Sequence, residues 1–273
     1  MSAIRRVGML GLGKMGAPMA RHLIAKGYNV SGYDPVDAAR RSAAGVAIVA
    51  TPHEVGRASD LVIVVVGFDH EVEAALFGAD GVMEAARPGL IVAIGSTIAP
   101  RNAKQIAERA ARQGVIVLDA PLARGEQAAV AGKLLVFGAG NEKAFEACRP
   151  VFNAFASDVF HLGGPGAGQV AKMVNNLILW ACTSANDEGL RLASALGVDA
   201  EKLRAALHHS SAQNWSMDLR AELSGMPWAE KDMSIVLHEA DLARLSLPLC
   251  GTVKETIKDL KIRLGYGLPQ GAE

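Results

Sequence analysis

This 273-residue chain has no net charge, few cysteines and no long apolar run. Its 28 lysines and arginines balance 28 aspartates and glutamates, which indicates no bulk attraction to nucleic acid or anionic membranes. The 3 cysteines are scattered and match no metal-ligand spacing, so we expect buried thiols in a reducing compartment and no metal site. Runs such as residues 61–66 are too short to span a bilayer and no signal-peptide pattern is present, so we expect a cytoplasmic protein.

The chain does contain a glycine-rich turn near its start, inside a strand–helix–strand pattern. Residues 4–10 predict a strand, residues 17–26 a helix and residues 28–33 a second strand. The first glycine of such a turn permits the tight bend, the second admits a pyrophosphate close to the backbone, and the third lets the helix pack on the strand. The turn, which we predict to bind a dinucleotide, is Gly11-Leu12-Gly13-Lys14-Met15-Gly16.

Asp34 ends the second strand about 20 residues beyond this turn, where a carboxylate hydrogen-bonds the ribose diol of a dinucleotide. A carboxylate there repels a 2′-phosphate, and residues 35–37 contain no arginine that would bind one. Arg40 and Arg41 come later and are expected on the next helix. NAD is therefore the expected cofactor, and NADP is the less favoured one.

Strand and helix patterns alternate through the first part of the chain, and only helices are predicted afterwards. Apolar runs predict buried strands at residues 61–66, 90–94 and 115–118, a strand near the sheet edge at 133–139, and a helix at 101–113. After a glycine-rich hinge at 163–168, helices are predicted at residues 169–196, 200–208, 215–223, 231–245 and 250–264. The expected fold is α/β, with a Rossmann-type doubly wound parallel sheet in residues 1–162 and an all-α domain in 163–273.

A long inter-domain helix is expected at about residues 167–196. It is apolar beyond one stripe, so part of its surface is expected to meet another subunit in a homodimer or homotetramer. A compact monomer is the alternative.

Lys172, Asn175 and Asn176 lie at positions i, i+3 and i+4 of this helix and so share one face. A lysine among apolar neighbours on a buried helix is uncommon unless it is paired or functional. Partial desolvation would lower its pKa toward that of a general base that takes a hydroxyl proton. The two amides would hold the substrate or orient the lysine. A lysine that reaches solvent beside two surface amides is the open alternative.

Four sequence blocks resemble the β-hydroxyacid dehydrogenase family, the group of 3-hydroxyisobutyrate dehydrogenase and tartronate semialdehyde reductase. The resemblance covers nearly the whole chain and is much more specific for the family than for the substrate. Lys231-Asp232 matches a further pair of the family. The blocks are residues 11–20, Ser96-Thr97-Ile98-Ala99-Pro100, Asp119-Ala120-Pro121 with the segment after it, and residues 168–176.

The resemblance implies an oxidoreductase that transfers a hydride between NAD and a small 3-hydroxyacid or its semialdehyde. It makes Lys172 the catalytic acid and base and Asn176 a substrate-site amide, and we predict from its place on the same helix face that Asn175 also binds the substrate. The expected partner is a small anionic substrate, and neither nucleic acid nor a membrane is expected as a partner.

The resemblance also implies positions around the cofactor. Thr97 is expected near the nicotinamide ribose, and the loop with Val66 and Gly67 along the adenosine side. Lys231 is expected to contact both cofactor and substrate, whereas Asp232 is expected to be structural.

The substrate loop departs from the family pattern. Where the family has serine and two glycines, this chain has Ala123, Arg124 and Gly125, which we still predict to bind the substrate. Loss of the serine hydroxyl removes a hydrogen bond to the substrate carboxylate. An arginine can replace it with bidentate hydrogen bonds to an anion. Arg124 would then suit a sulfonated substrate such as sulfolactaldehyde, which relatives with arginine at this place reduce. The alternative is an arginine in solvent or paired with Glu126.

Two further hypotheses stay open beside the leading one. An imine reductase is disfavoured because those relatives usually replace the lysine that is present here as Lys172. A non-catalytic NAD(P) sensor gains some support from the altered loop, but the intact Lys172 and Asn176 argue against it.

Overall fold

The computed structural model describes residues 3–221 and 226–267 of the chain. The chain divides into two compact units, with the boundary between Lys172 and Met173. Within the described residues no helix combines the length and the apolar character that crossing a bilayer requires.

Nine strands occur in the described part of the first unit. The strands are β1 (Arg6–Leu10), β2 (Asn29–Tyr33), β3 (Ala47–Ile48), β4 (Leu61–Val64), β5 (Ile91–Ile94), β6 (Ile116–Asp119), β7 (Leu122–Ala123), β8 (Leu134–Gly140) and β9 (Ala156–His161). They form one sheet in the order β3-β2-β1-β4-β5-β6-β8-β7, and β9 pairs with β8.

Eight α-helices connect or follow these strands in the described residues. A 3₁₀ helix, Val82–Ala85, precedes β5. The helices are α1 (Gly16–Ala25), α2 (Asp37–Ser42), α3 (Pro52–Ala58), α4 (Asp69–Phe77), α5 (Pro100–Ala111), α6 (Gly125–Ala131), α7 (Glu142–Phe152) and α8 (Ala167–Ala195).

The first six strands of the sheet are parallel and have the doubly wound order 3-2-1-4-5-6. Strand β4 shows why its sequence is a continuous apolar run. Leu61 and Ile63 pack into one apolar cluster and Val62 and Val64 into another, because successive side chains point to opposite faces of a sheet that is covered on both sides. The predicted α/β doubly wound fold is confirmed.

The far end of the sheet differs from the prediction of a purely parallel sheet. β8 runs antiparallel to both β6 and β7, and the connection from β6 to β8 consists of β7 and α6. β9, for which no strand was predicted, pairs parallel with β8. Its residues are mixed polar and apolar, so no long apolar run marks it.

The second unit contains only helices among its described residues. It continues α8 to Ala195 and adds α9 (Ala200–Leu207), a 3₁₀ helix (Trp215–Ala221), α10 (Ala229–Leu242) and α11 (Pro248–Arg263). The helix predicted at 215–223 is thus a 3₁₀ helix, and residues 222 and 223 lie outside the described residues. Between α8 and α9, Gly197 has a φ of +80°, a left-handed conformation that follows a helix end and suits glycine.

The core of the second unit lies between α10 and α11, with part of α8 against it. Lys261 of α11 is 2% exposed, and its Nζ donates to Glu230 of α10 at 2.7 Å. Cys250 is buried in this core, as Cys148 is in the first unit, while Cys182 is half-buried, and all three are free thiols.

Along α8, Val170, Val174 and Ile178 are exposed at a spacing of four residues. The homo-oligomer stays a prediction.

Candidate active site

The glycine-rich turn between β1 and α1 is built by close backbone contacts at two of its three glycines. Gly11 has a φ of +91°, and a Cβ there would lie 2.1 Å from the carbonyl oxygen of Val65. A Cβ on Gly16 would lie 2.0 Å from the carbonyl oxygen of Gly11. A Cβ on Gly13 would meet nothing within 4 Å. Gly11 and Gly16 are therefore needed for the turn itself, whereas Gly13 borders open space at the start of α1.

Asp34 is fixed beside this turn by main-chain donors. Its carboxylate is 8% exposed and accepts the N–H of Leu12 and the N–H of Val36, both at 2.8 Å. A carboxylate has about four acceptor positions, so it can accept ribose hydroxyl groups as well. Arg40 reaches back from α2, donates to the Asp34 carbonyl oxygen at 2.7 Å and pairs with Asp37. The residues present thus fit an adenosine diphosphate moiety, with phosphates at Gly13 and a ribose at Asp34.

The loops after β4 and β5 are tied to each other. Val66 N–H donates to Ser96 Oγ at 2.8 Å, and Ser96 N–H donates to the carbonyl oxygen of Val64 at 3.0 Å. Gly67 N–H donates to Glu71 Oε2 at 2.7 Å. Because β2, β1, β4 and β5 are neighbouring parallel strands, the structure brings the predicted cofactor residues of the turn, Asp34, Val66, Gly67 and Thr97 to one edge of the sheet.

The first turn of α8 is attached to this same edge. Gln169 is fully buried, its Oε1 accepts the N–H of Ile98 at 3.1 Å, and its Nε2 donates to the carbonyl oxygen of Ser96 at 2.9 Å. Gly168 N–H donates to Asp119 Oδ2 at 3.1 Å. Burial raises the pKa of Asp119, and main-chain donors around residues 166–169 oppose that rise. Lys172, which is half-buried, follows on the next turn of α8.

The predicted polar residues of the second unit form a chain of contacts that starts on α10. Asn176 Nδ2 donates to Asp232 Oδ2 at 2.6 Å, and Asn175 Nδ2 donates to Asn176 Oδ1 at 2.9 Å. Lys231 Nζ lies 3.6 Å from Asp232 Oδ1 and 5.5 Å from the centre of the Trp228 ring. The Asp232 carboxylate therefore orients an amide and pairs with a lysine, as a structural residue does.

The predicted substrate loop begins in β7, where Ala123 is buried and pairs with Leu135 of β8. Arg124 and Gly125 follow with φ angles of +84° and +74°. An arginine in this left-handed region is uncommon and carries strain that glycine would not. The departure from the family pattern therefore has a conformational cost as well as a chemical consequence.

The guanidinium of Arg124 forms hydrogen bonds to other residues of the first unit. Its Nη1 donates to Asp158 Oδ2 at 2.6 Å, to Ser157 Oγ at 2.9 Å and to the Lys133 carbonyl oxygen at 3.2 Å. The Ser157 hydroxyl and then the guanidinium hold the pKa of Asp158 below its usual value. The alternative partner expected for Arg124, Glu126, instead pairs with Lys14 of the glycine-rich turn at 3.2 Å. Substrate binding by Ala123, Arg124 and Gly125 stays a prediction.

The contacts of Gln169, Asp119 and Ser96 are not predicted by the sequence pattern. Each residue lies in a block that resembles the family, but the pattern assigns no role to its side chain. The sequence does place a glutamine on an apolar helix one turn before Lys172. Because a buried polar group must find hydrogen-bond partners, this position indicates a contact of the Gln169 amide. Among the described residues, no group of three or more His, Cys, Asp and Glu side chains is arranged to hold a metal ion.

Two family models cover almost the whole chain. The one described as the NAD binding domain of 6-phosphogluconate dehydrogenase matches residues 6–163. The one described as NAD-binding of NADP-dependent 3-hydroxyisobutyrate dehydrogenase matches residues 166–268. The expected NAD cofactor is thereby confirmed.

Characterised proteins of similar length resemble the chain throughout. It is 31% identical to the NAD-dependent L-serine dehydrogenase of Pseudomonas aeruginosa, over 96% of this chain and 94% of that protein. It is 33% identical to the L-threonate dehydrogenase of Cupriavidus necator, over 90% and 86% of the two chains. Among solved structures, the 3-hydroxyisobutyrate dehydrogenase of Mycobacterium tuberculosis with L-serine has a TM-score of 0.85 and 27% identity, over 95% and 94% of the two chains.

Proposed function

The chain belongs to the β-hydroxyacid dehydrogenase family of NAD-dependent oxidoreductases, and on that premise we propose that it acts on a small 3-hydroxyacid, or the matching semialdehyde, with Lys172 as general acid and base. The position of Lys172 carries this proposal. It follows one turn after Gln169. The amide of Gln169 is bound to the loop around Thr97, at the edge of the sheet where the predicted cofactor residues lie. A proton-transfer group is thus attached to the part of the unit that holds the cofactor.

The protein residues supply binding and proton transfer. Gly13 and Asp34 would hold the cofactor, and NAD bound there would supply the hydride acceptor for the carbon that carries the hydroxyl group. Lys172 in its neutral form takes the hydroxyl proton as the carbonyl forms, and in the reverse direction its ammonium form protonates the developing alkoxide. Oxidation of the alcohol to the carbonyl removes one proton and one hydride, so beyond Lys172 and NAD no other reactant is needed.

The amides of α8 are proposed to bind the substrate. Asn176 donates one amide hydrogen to Asp232 and accepts from Asn175, which fixes the orientation of its side chain. A primary amide has two donor hydrogens, so each asparagine can still donate to a substrate oxygen. The relatives named for L-serine and L-threonate act on small carboxylates with hydroxyl groups, and that is the substrate class proposed here.

The test is a panel assay that follows NADH absorbance, with NAD and NADP separately. The panel contains 3-hydroxyisobutyrate, 3-hydroxypropionate, serine, glycerate, threonate, 4-hydroxybutyrate and a sulfonated propanediol. Lys172→Ala is expected to lower kcat about 100- to 10,000-fold while the Kd for NADH is retained, because proton transfer and cofactor binding use different residues.

Lys143→Ala is the matched control, since Lys143 is an exposed lysine on α7. It is expected to leave both kcat and the Kd for NADH as in the wild type. Turnover of Lys172→Ala equal to that of Lys143→Ala would contradict the mechanism. Turnover of the sulfonate alone would contradict the carboxylate substrate class.

A further inference from the structure

The buried amide of Gln169 binds the main chain on both sides of Thr97. Its acceptor oxygen receives the N–H of Ile98 and its donor nitrogen is bound to the carbonyl oxygen of Ser96, at 3.1 and 2.9 Å. Both groups lie in the loop between β5 and α5, outside the regular pairing of the sheet. Buried main-chain groups must find partners, and one glutamine side chain supplies two of them here.

A second contact fixes the same turn of α8 from the neighbouring strand. Gly168 donates to the carboxylate of Asp119, the last residue of β6, at 3.1 Å. A Cβ on Gly168 would lie 2.4 Å from the carbonyl oxygen of Phe137 in β8. The start of α8 is therefore held against strand ends and the loop after β5, with little room for displacement.

Lys172 lies three residues beyond Gln169, on the following turn of the same helix. The path from Thr97 to Lys172 consequently consists of two hydrogen bonds and one helical turn. We infer that Gln169 is a positioning residue for the hydride-transfer reaction, which fixes the loop around Thr97 relative to Lys172. This inference rests on the proposed function.

The expected consequence follows from the geometry that hydride and proton transfer require. A displacement of about 1 Å at the reacting groups can lower a rate about 100-fold. Gln169→Leu fills a similar volume but removes both hydrogen bonds to the loop. We expect kcat to fall about 10- to 100-fold, the Kd for NADH to stay within about 3-fold, and KM to change less than kcat.

Two readouts separate positioning from loss of folded protein. With substrate deuterated at the carbon that gives up the hydride, the isotope effect on kcat should rise, because a mispositioned reaction is more fully limited by hydride transfer. A smaller folded fraction leaves that isotope effect unchanged. Independently of activity, amide hydrogen exchange at Ile98 should become faster in Gln169→Leu.

Ser59→Ala is the control for the loss of a buried hydrogen bond. Ser59 is fully buried in the first unit and its hydroxyl donates to the carbonyl oxygen of Val55 at 2.7 Å, away from the loop around Thr97. This variant is expected to keep the wild-type kcat per NADH-binding site, isotope effect and Ile98 exchange. Gln169→Leu behaving like Ser59→Ala in these three measurements would overturn the inference.

Lys172→Ala in the same assay distinguishes the two proposals. If it is inactive while Gln169→Leu keeps wild-type kcat, the positioning inference fails and the proposed function stands. If the wild type turns over no hydroxyacid, the proposed function fails, and the inferred positioning role of Gln169 in the reaction fails with it. Unchanged exchange at Ile98 overturns the inference in every case.

Discussion

The two compact units hold their buried polar side chains in different ways. In the first unit, Asp34 and Asp119 stand at the ends of strands and accept main-chain N–H groups. In the second unit, the buried Asn176 and Lys261 bind other side chains, those of Asp232 and Glu230 respectively. The reason is that loops at the edge of a sheet have free main-chain donors, whereas the interior of a helix has used its own.

This difference has a consequence for substitutions. A main-chain donor is kept whatever the side chain, so the first unit is sensitive mainly to backbone geometry at glycine and to the acceptor carboxylates. A side-chain pair loses one partner with a single substitution, and the other partner then stays buried without its counter-charge. The following predictions test this contrast, from the largest expected effect to the smallest.

Glu230→Gln is expected to be the most destabilising change. It removes the counter-charge of Lys261, which is 2% exposed, and breaking a buried ion pair costs about 3–5 kcal/mol. The measurement is the free energy of unfolding from denaturant titration. The control is Glu255→Gln, because Glu255 pairs with Lys258 at the surface of α11, where solvent screens the pair and its loss is expected to change stability little. Equal losses in both variants would contradict the argument that burial makes the pair of Lys261 and Glu230 costly to break.

Gly11→Ala and Gly13→Ala should separate folding from cofactor binding in the first unit. Gly11→Ala is expected to lower the free energy of unfolding by about 1–3 kcal/mol, because its φ of +91° and the nearby carbonyl oxygen of Val65 exclude a Cβ. Gly13→Ala has open space and is expected to fold normally, but to raise the Kd for NADH about 10-fold or more. Denaturant titration and NADH fluorescence titration measure the two effects. Wild-type NADH affinity in Gly13→Ala would refute the phosphate site.

Asp119→Asn should change the pH dependence of stability. Burial raises the pKa of Asp119, so the folded state binds a proton at a higher pH than the unfolded state does. The stability of the wild type relative to Asp119→Asn should therefore fall as pH rises from the ordinary aspartate pKa through the raised one. Asp158→Asn should show the opposite trend, because the pKa of Asp158 is lowered. The effect of Asp158 falls between its lowered pKa and the ordinary aspartate pKa, so unfolding is measured from below the first of these to above the raised pKa of Asp119. The same slope for both variants in their respective ranges would contradict the assignment.

Arg124→Ala and Asp158→Ala are expected to have the smallest effects on stability, because their pair is partly exposed and solvent screens it. Their effects on KM should differ. If Arg124 binds the substrate anion, Arg124→Ala raises KM about 10-fold or more, while Asp158→Ala leaves KM near the wild-type value. Equal KM values in the two variants would make Arg124 a structural residue only.

Local patterns in the sequence determined most of what could be predicted. The glycine-rich turn, the acid at the end of β2, the apolar runs of β4 to β6 and the spacing of Lys172, Asn175 and Asn176 each depend on neighbours within a few residues. Such patterns follow from the periods of strands and helices and from the conformations open to glycine. The family and its NAD cofactor followed from the same blocks.

Only the tertiary structure decided which distant groups meet. The amide of Gln169 binds a loop that lies more than 70 residues earlier, and Arg124 pairs with Asp158 of a strand whose sequence has no long apolar run. The antiparallel pairing of β8 likewise depends on where the chain returns to the sheet. Hydrogen bonds of this kind are set by which strand ends and helix starts become neighbours in space, and no local period of the sequence carries that information.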